Sequence, residues 1–139
     1  MSFNFGDSIS ESAFEQILEM DDSPTNRDFS QALVYDYFEQ ANETFVKMDE
    51  ALEGKSLAEM SDLGHFLKGS SATLGFVKIK DHCQVIQQYG KNMNLDGSPE
   101  TDEGVCVARL TEALAAAKEN MGVVRAKMNE FFGVTDGAV

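Results

Sequence analysis

His65, Lys68 and Gly69 stand at i, i+3 and i+4 in the stretch Asp62-Leu63-Gly64-His65-Phe66-Leu67-Lys68-Gly69-Ser70-Ser71-Ala72-Thr73-Leu74-Gly75. An imidazole that faces water is neutral often enough at cellular pH to attack phosphorus, forming a phosphoramidate that can pass its group onward. Lys68 could neutralise the phosphoryl oxygens, and Gly69 could leave room for them. On a helix of 3.6 residues per turn, Met60, Leu63, Leu67, Ser71 and Leu74 share one side, and His65 lies opposite their centre. The ring is therefore expected to face water or a partner, among Ser61, Lys68, Gly69 and Ala72. Taken alone, a histidine and a lysine one turn apart also fit a plain surface pair.

Gly64 and Gly69 each cost a helix about 1 kcal/mol against alanine. Two explanations stay open: close approach of a neighbouring helix, or clearance for a group as bulky as a phosphoryl. Other chemistry lacks its parts. There is no GxxxxGK[ST] loop, GxGxxG, HExxH or GxSxG string. His65 and His82 have no zinc-ligand spacing, and His82 reads as a partly buried structural residue. Catalytic carboxylate pairs cannot be singled out among 24 Asp and Glu, so an acidic solvated surface is the plain reading. Cys83 and Cys106 fall in helical patterns without a CxxC pair and read as reduced packing residues.

The elements that must position these residues are helical. A short amphipathic segment runs from residue 10 or 12 to 20, with Ser12 and Glu15 in capping-box spacing, before the Asp21-Asp22-Ser23-Pro24 break. Phe29, Leu33, Tyr37, Ala41, Phe45, Met48 and Leu52 recur at helical intervals over residues 28–53, and Gly54 is the expected stop. Ser56 with Glu59 opens the helix that carries His65 and ends near Gly75. A fourth helix is expected over residues 79–93, with Ile79, Cys83, Ile86 and Met93 inward. After the loop Asn94-Leu95-Asp96-Gly97-Ser98-Pro99, a last helix begins between Ser98 and Thr101. It carries Val107, Leu110, Leu114, Ala117, Met121, Val124, Met128 and Phe131 on a bundle seam. No stretch alternates with period two, so the fold class is all-α: an antiparallel four-helix bundle with a short additional N-terminal helix.

The whole chain fits one folded domain, residues 1–139, with a helical core over about 10–132. Its 139 residues and 42% hydrophobic content suffice for a core without disulfides or metals. The net charge of −13 disfavours nucleic-acid binding, which depends on neutralising phosphates, and also anionic membrane surfaces. With no long apolar run and no basic-then-apolar leader, the expected setting is intracellular.

The string His65-x-Leu67-Lys68-Gly69-Ser70-Ser71-x-x-Leu74-Gly75 resembles the signature of histidine-containing phosphotransfer (HPt) domains. Met20-Asp21-Asp22, Phe29-Ser30, Leu63-Gly64-His65-Phe66 and Cys83-x-x-Ile86-Gln87-x-x-Gly90 resemble the fungal branch of that family, which serves osmotic-stress signalling. The resemblance implies that His65 is phosphorylated, that Lys68 is its electrostatic partner, that Gly69 gives clearance and that Gln87 hydrogen-bonds the imidazole. Without the resemblance, Gln87 reads as a solvated amide. It further implies an apolar docking patch drawing on Ala13, Phe14, Ile17, Met20, Leu33 and Phe66, although periodicity alone would put several of these in the core. Implied partners are the receiver domain of a hybrid sensor histidine kinase and downstream response regulators, met by a monomer in the cytoplasm and nucleus. No cofactor is implied in this chain, with Mg2+ in the receiver instead, and no ATP-dependent autophosphorylation. Lys91-Asn92 stands where the yeast-like pattern has two basic residues, so local basicity is reduced. The competing reading is an acidic helical adaptor that binds partners through an apolar groove, with His65 incidental.

Overall fold

Turn chemistry and apolar periodicity divide the chain into five helices, and a computed structural model describes residues 3–134 of it. The outermost residues of the 1–139 domain expectation lie outside that range. The helices are α1 (Glu11–Leu18), α2 (Asp28–Glu53), α3 (Leu57–Leu74), α4 (Val77–Gly90) and α5 (Glu103–Phe132). The long helices pack in a ring, α2 on α3, α3 on α4, α4 on α5 and α5 on α2, while α1 lies against α3. This is the expected four-helix bundle with a short helix added at its N-terminus. No described helix is long and apolar enough to cross a membrane.

One of the expected caps is replaced. Ser10, not Ser12, caps α1: its Oγ accepts from the Ala13 amide at 3.4 Å, and its own amide donates to the Gly75 carbonyl at 2.7 Å. That tertiary bond to the end of α3 decides between two serines that sequence spacing alone cannot separate. α2 stops at Gly54 as expected, and the left-handed residue that follows is Lys55 (φ 55°). The Ser56 amide reaches back to the Ala51 carbonyl at 2.8 Å and closes the helix. Ser56 begins α3 without a side-chain cap bond.

At the far end of α3, Gly75 takes φ 81° and the Phe76 amide donates to the Ser71 carbonyl at 2.9 Å. The reversal is tight enough for α4 to begin at Val77, two residues before expectation. α4 also stops at Gly90, not Met93, and Asn92 turns the chain with φ 60°. Asp102 then caps α5, accepting from the Gly104 and Val105 amides, so that helix begins after the expected window of residues 98–101.

The buried stripe of α2 turns away from the regular four-residue series at its start. Phe29 is 48% exposed, and Ser30 and Val34 take the inward positions. Steps of four residues drift by about 40° each on a helix of 3.6 residues per turn, so the series has left the core face by Phe29. Asp21 anchors the inward Ser30: its carboxylate accepts from the Ser30 amide at 2.8 Å and from its hydroxyl at 2.7 Å, with the Arg27 guanidinium 3.7 Å away. This contact spans nine residues and ties the break before α2 to its first turn. Deeper in the core the Tyr37 hydroxyl and Ser71 Oγ lie 2.6 Å apart, which gives the buried serine of α3 a partner. Burial lifts the Tyr37 phenol well above its ordinary 10.0 despite that hydrogen bond.

Candidate functional site

Leu67, Ser71 and Leu74 are buried along α3 while His65 and Phe66 are exposed, so the imidazole stands outward as its spacing requires. The two glycines of this helix divide between the explanations left open above. A methyl group on Gly64 would lie 2.9 Å from Ile86 Cγ2 and 3.1 Å from both the Cys83 carbonyl oxygen and the Gln87 amide nitrogen. Gly64 is thus a close-approach residue that lets α4 against α3. A methyl group on Gly69 would meet nothing within 4 Å. Gly69 is open space one turn from His65.

Gly90 answers Gly64 at the other end of the same seam. Its missing side chain admits the Leu57 carbonyl oxygen and the Ser61 amide nitrogen, each at 2.7 Å from where a Cβ would stand. Ser61 is consequently buried, its hydroxyl donating to the Gln87 carbonyl at 2.9 Å. It does not belong to the exposed surroundings of His65, contrary to its helical position, because α4 covers that side of α3. The exposed small residues beside the ring are Gly69 and Ala72.

Lys68 is half-buried and leans toward α4, where its ammonium donates to Gln84 Oε1 at 2.8 Å. Gln84 was not singled out in the sequence, since nothing local distinguishes it from its neighbours Gln87 and Gln88. Gln87 sits across the seam from Gly64, with its backbone held by Ser61, but no hydrogen bond joins it to His65 among the described residues. Its Oε1 is buried without a partner, an unspent acceptor next to the turn that carries the ring. Cys83 lies in the same dry seam, where burial pushes its thiol from 9.0 up to about 12 against a smaller opposing pull from Lys68. Cys106 is buried too, and His82 is half-buried on α4.

The residues expected to form an apolar patch divide as well. Met20 is 61% exposed and Phe66 51%, and Ala13 and Leu33 are half-buried. Phe14 is not a surface residue: it is wholly buried, edge-on to Phe5 and Phe131 with ring centroids 5.5 and 5.7 Å away. Ile17 is buried beside it. On an eight-residue amphipathic helix these two form the inward stripe, so the short helix itself consumes them. Phe29, one turn before Leu33 on the same face of α2, is the exposed ring that sequence reasoning placed inside.

A groove of about 790 Å3 lies between α2 and α5 along Asp28, Tyr35, Asp36, Glu39 and Arg125. It holds no part of the His65 site.

Comparison with known proteins agrees with this geometry. The "Multistep phosphorelay regulator 1" of Schizosaccharomyces pombe is 39% identical over 125 residues, which is 89% of this chain and 42% of that protein. The "Phosphorelay intermediate protein YPD1" of Saccharomyces cerevisiae is 46% identical over 79 residues, 56% of this chain and 46% of its own length. The chain thus spans less than half the length of these curated relatives. A crystal structure of Saccharomyces cerevisiae Ypd1 with the receiver domain of its downstream response regulator Ssk1 superimposes with a TM-score of 0.81 at 25% identity, covering 96% of this chain and 99% of that one. The Hpt domain matches residues 32–120, which include the whole His65 helix and its α4 neighbour, and the chain belongs to the Hpt domain family.

Proposed function

We propose that this chain is a phosphoryl carrier in a multistep phosphorelay. A neutral ring nitrogen of His65 attacks the phosphorus of a phospho-aspartate on the receiver domain of a hybrid sensor histidine kinase. An N–P bond forms as the P–O bond to the aspartate breaks, and the aspartate leaves as a carboxylate. The reverse displacement onto the aspartate of a downstream response regulator empties the ring. The observation that carries this reading is the exposed imidazole beside the unfilled space at Gly69. Another protein's carboxylate has to bring the reacting atoms within about 3–3.5 Å, which a walled-off ring would forbid.

Lys68 supplies a positive charge to phosphoryl oxygens, and the Mg2+ such a transfer uses is held by the receiver's own acidic pocket. Met20, Phe66 and Phe29, with the edges of Ala13 and Leu33, offer the apolar surface on which a receiver docks. The Ypd1 complex with the Ssk1 receiver domain supports this arrangement, because a protein of the same fold engages that class of partner. The chain works as a monomer that forms transient heterodimers.

The test is transfer from a phosphorylated receiver domain. Acid-labile, base-stable label should appear on the wild-type chain and move on to a second receiver, and His65→Gln should carry none. Undiminished label in the variant would move the site elsewhere. Absence of label from the wild type would leave a binding adaptor as the better description.

A further inference from the structure

The Lys68 ammonium is the head of a chain of side-chain amides that runs along α4. Lys68 Nζ donates to Gln84 Oε1 at 2.8 Å, Gln84 Nε2 donates to Gln88 Oε1 at 2.8 Å, and Gln88 Nε2 donates to the Asn94 carbonyl at 3.0 Å. Both ends of this chain have fixed polarity. A backbone carbonyl can only accept, so the Gln88 amide must turn its nitrogen to Asn94 and its oxygen to Gln84. Gln84 must then turn its own oxygen to Lys68, which can only donate. Neither amide can flip without breaking two bonds, so the acceptor offered to Lys68 is pinned to the turn after α4.

The chemistry of that acceptor matters as much as its place. Three other cations sit against carboxylates, Lys118 on Asp49 at 2.7 Å, Lys78 on Asp7 at 3.0 Å and Arg109 on Glu112 at 2.6 Å, whereas Lys127, like Lys68, has a neutral acceptor, the Asn4 carbonyl at 2.9 Å. An amide directs Lys68 while leaving its full charge unspent, with further N–H groups free to donate. We propose that Gln84 is a positioning residue for phosphoryl transfer, a neutral tether anchored through Gln88 that holds the Lys68 ammonium in place for the phosphoryl group on His65. This rests on the phosphocarrier reading above.

Two measurements test it, the first independent of that reading. The 15N-edited NMR resonance of the Lys68 side-chain ammonium should shift and exchange faster with water in Gln84→Leu, with the melting temperature little changed. An unmoved resonance would remove the tether. The second is a transfer-rate cycle from a phosphorylated receiver. Gln84→Leu should slow acceptance about threefold when Lys68 is present and not at all in a Lys68→Ala background. Gln84→Glu, which pairs the ammonium with a carboxylate, should slow it further, by about fivefold or more. Equal slowing by Gln84→Leu in both backgrounds, or none in either, would overturn the positioning role. Loss of transfer to the wild type itself would instead strike at the carrier function, and the inference would fall with it.

Discussion

The seam between α3 and α4 and the seam between α2 and α5 are closed by different means. Along the first, Gly64 and Gly90 bring backbone against backbone. Along the second, long side chains bridge the gap: Lys118 to Asp49, the Tyr35 hydroxyl to Asn129 Oδ1 at 2.6 Å, and Arg125 over the Phe38 ring at 5.1 Å. A broad groove is left between them. Yet the proposed chemistry lies beside the closed seam. Its tight packing fixes α3 so that the opposite surface can present a ring, while the bridging groups of the open seam are engaged with one another. On the carrier reading proposed above, groove volume is a poor guide to reactivity, and the charge left unspent on Lys68 is a better one.

Glycine replacements sharpen that contrast, because the same change should have opposite signs along one seam and on its outer surface. Gly90→Ala drives a methyl into the backbone of Leu57 and Ser61 and should cost about 3 kcal/mol in urea unfolding, the upper part of the usual overpacking range. Gly64→Ala meets Ile86, which can shift, and two backbone atoms that cannot, so a net loss of about 1 kcal/mol is expected after the gain in helix propensity. Gly69→Ala meets nothing and should stabilise the fold by up to about 1 kcal/mol. Gly69→Gln should keep the helical circular dichroism but slow phosphoryl transfer. Equal penalties at Gly64 and Gly69 would erase the distinction between a packing glycine and a clearance glycine.

A smaller effect, absent at neutral pH, reports how dry the closed seam is. The Cys83 thiol titrates at 9.0 when exposed and is held up to about 12 by burial, so the folded chain keeps a proton that the unfolded chain has released between those values. Stability from this group is complete below about pH 9 and is lost as pH climbs through 12, with Tyr37 acting in the same direction from about pH 10. Urea midpoints should fall across that window, and the fall should be shallower in Cys83→Ala, whatever that variant loses at pH 7. An unchanged slope in the variant would mean that water reaches the seam.

How much of this was legible in the sequence depends on how local each cause is. The span of α2 was readable because seven turns of apolar spacing average out single exceptions, and the outward direction of His65 followed from the apolar residues on its own helix. The roles of Gly64 and Gly69 could not be separated, since what distinguishes them is α4 and not α3. For the same reason Ser61 was misplaced. Phe14 belongs to the inward stripe of its own short helix, where the aromatic cluster with Phe5 and Phe131 completes its burial, and Phe29 turns out because strict four-residue spacing drifts off the core face of a helix with 3.6 residues per turn. Gln84 left no trace in the sequence because its meaning comes from Lys68 on another helix and from a carbonyl in the following turn.

The central claim is that a ring nitrogen of His65 itself bears the phosphoryl group. Mass-spectrometric mapping of the wild-type chain, kept at alkaline pH after incubation with a phosphorylated receiver domain and Mg2+, addresses that directly. A single phosphorylated peptide with the group on His65 is the expected result; modification confined to any other residue, with His65 bare, would contradict it.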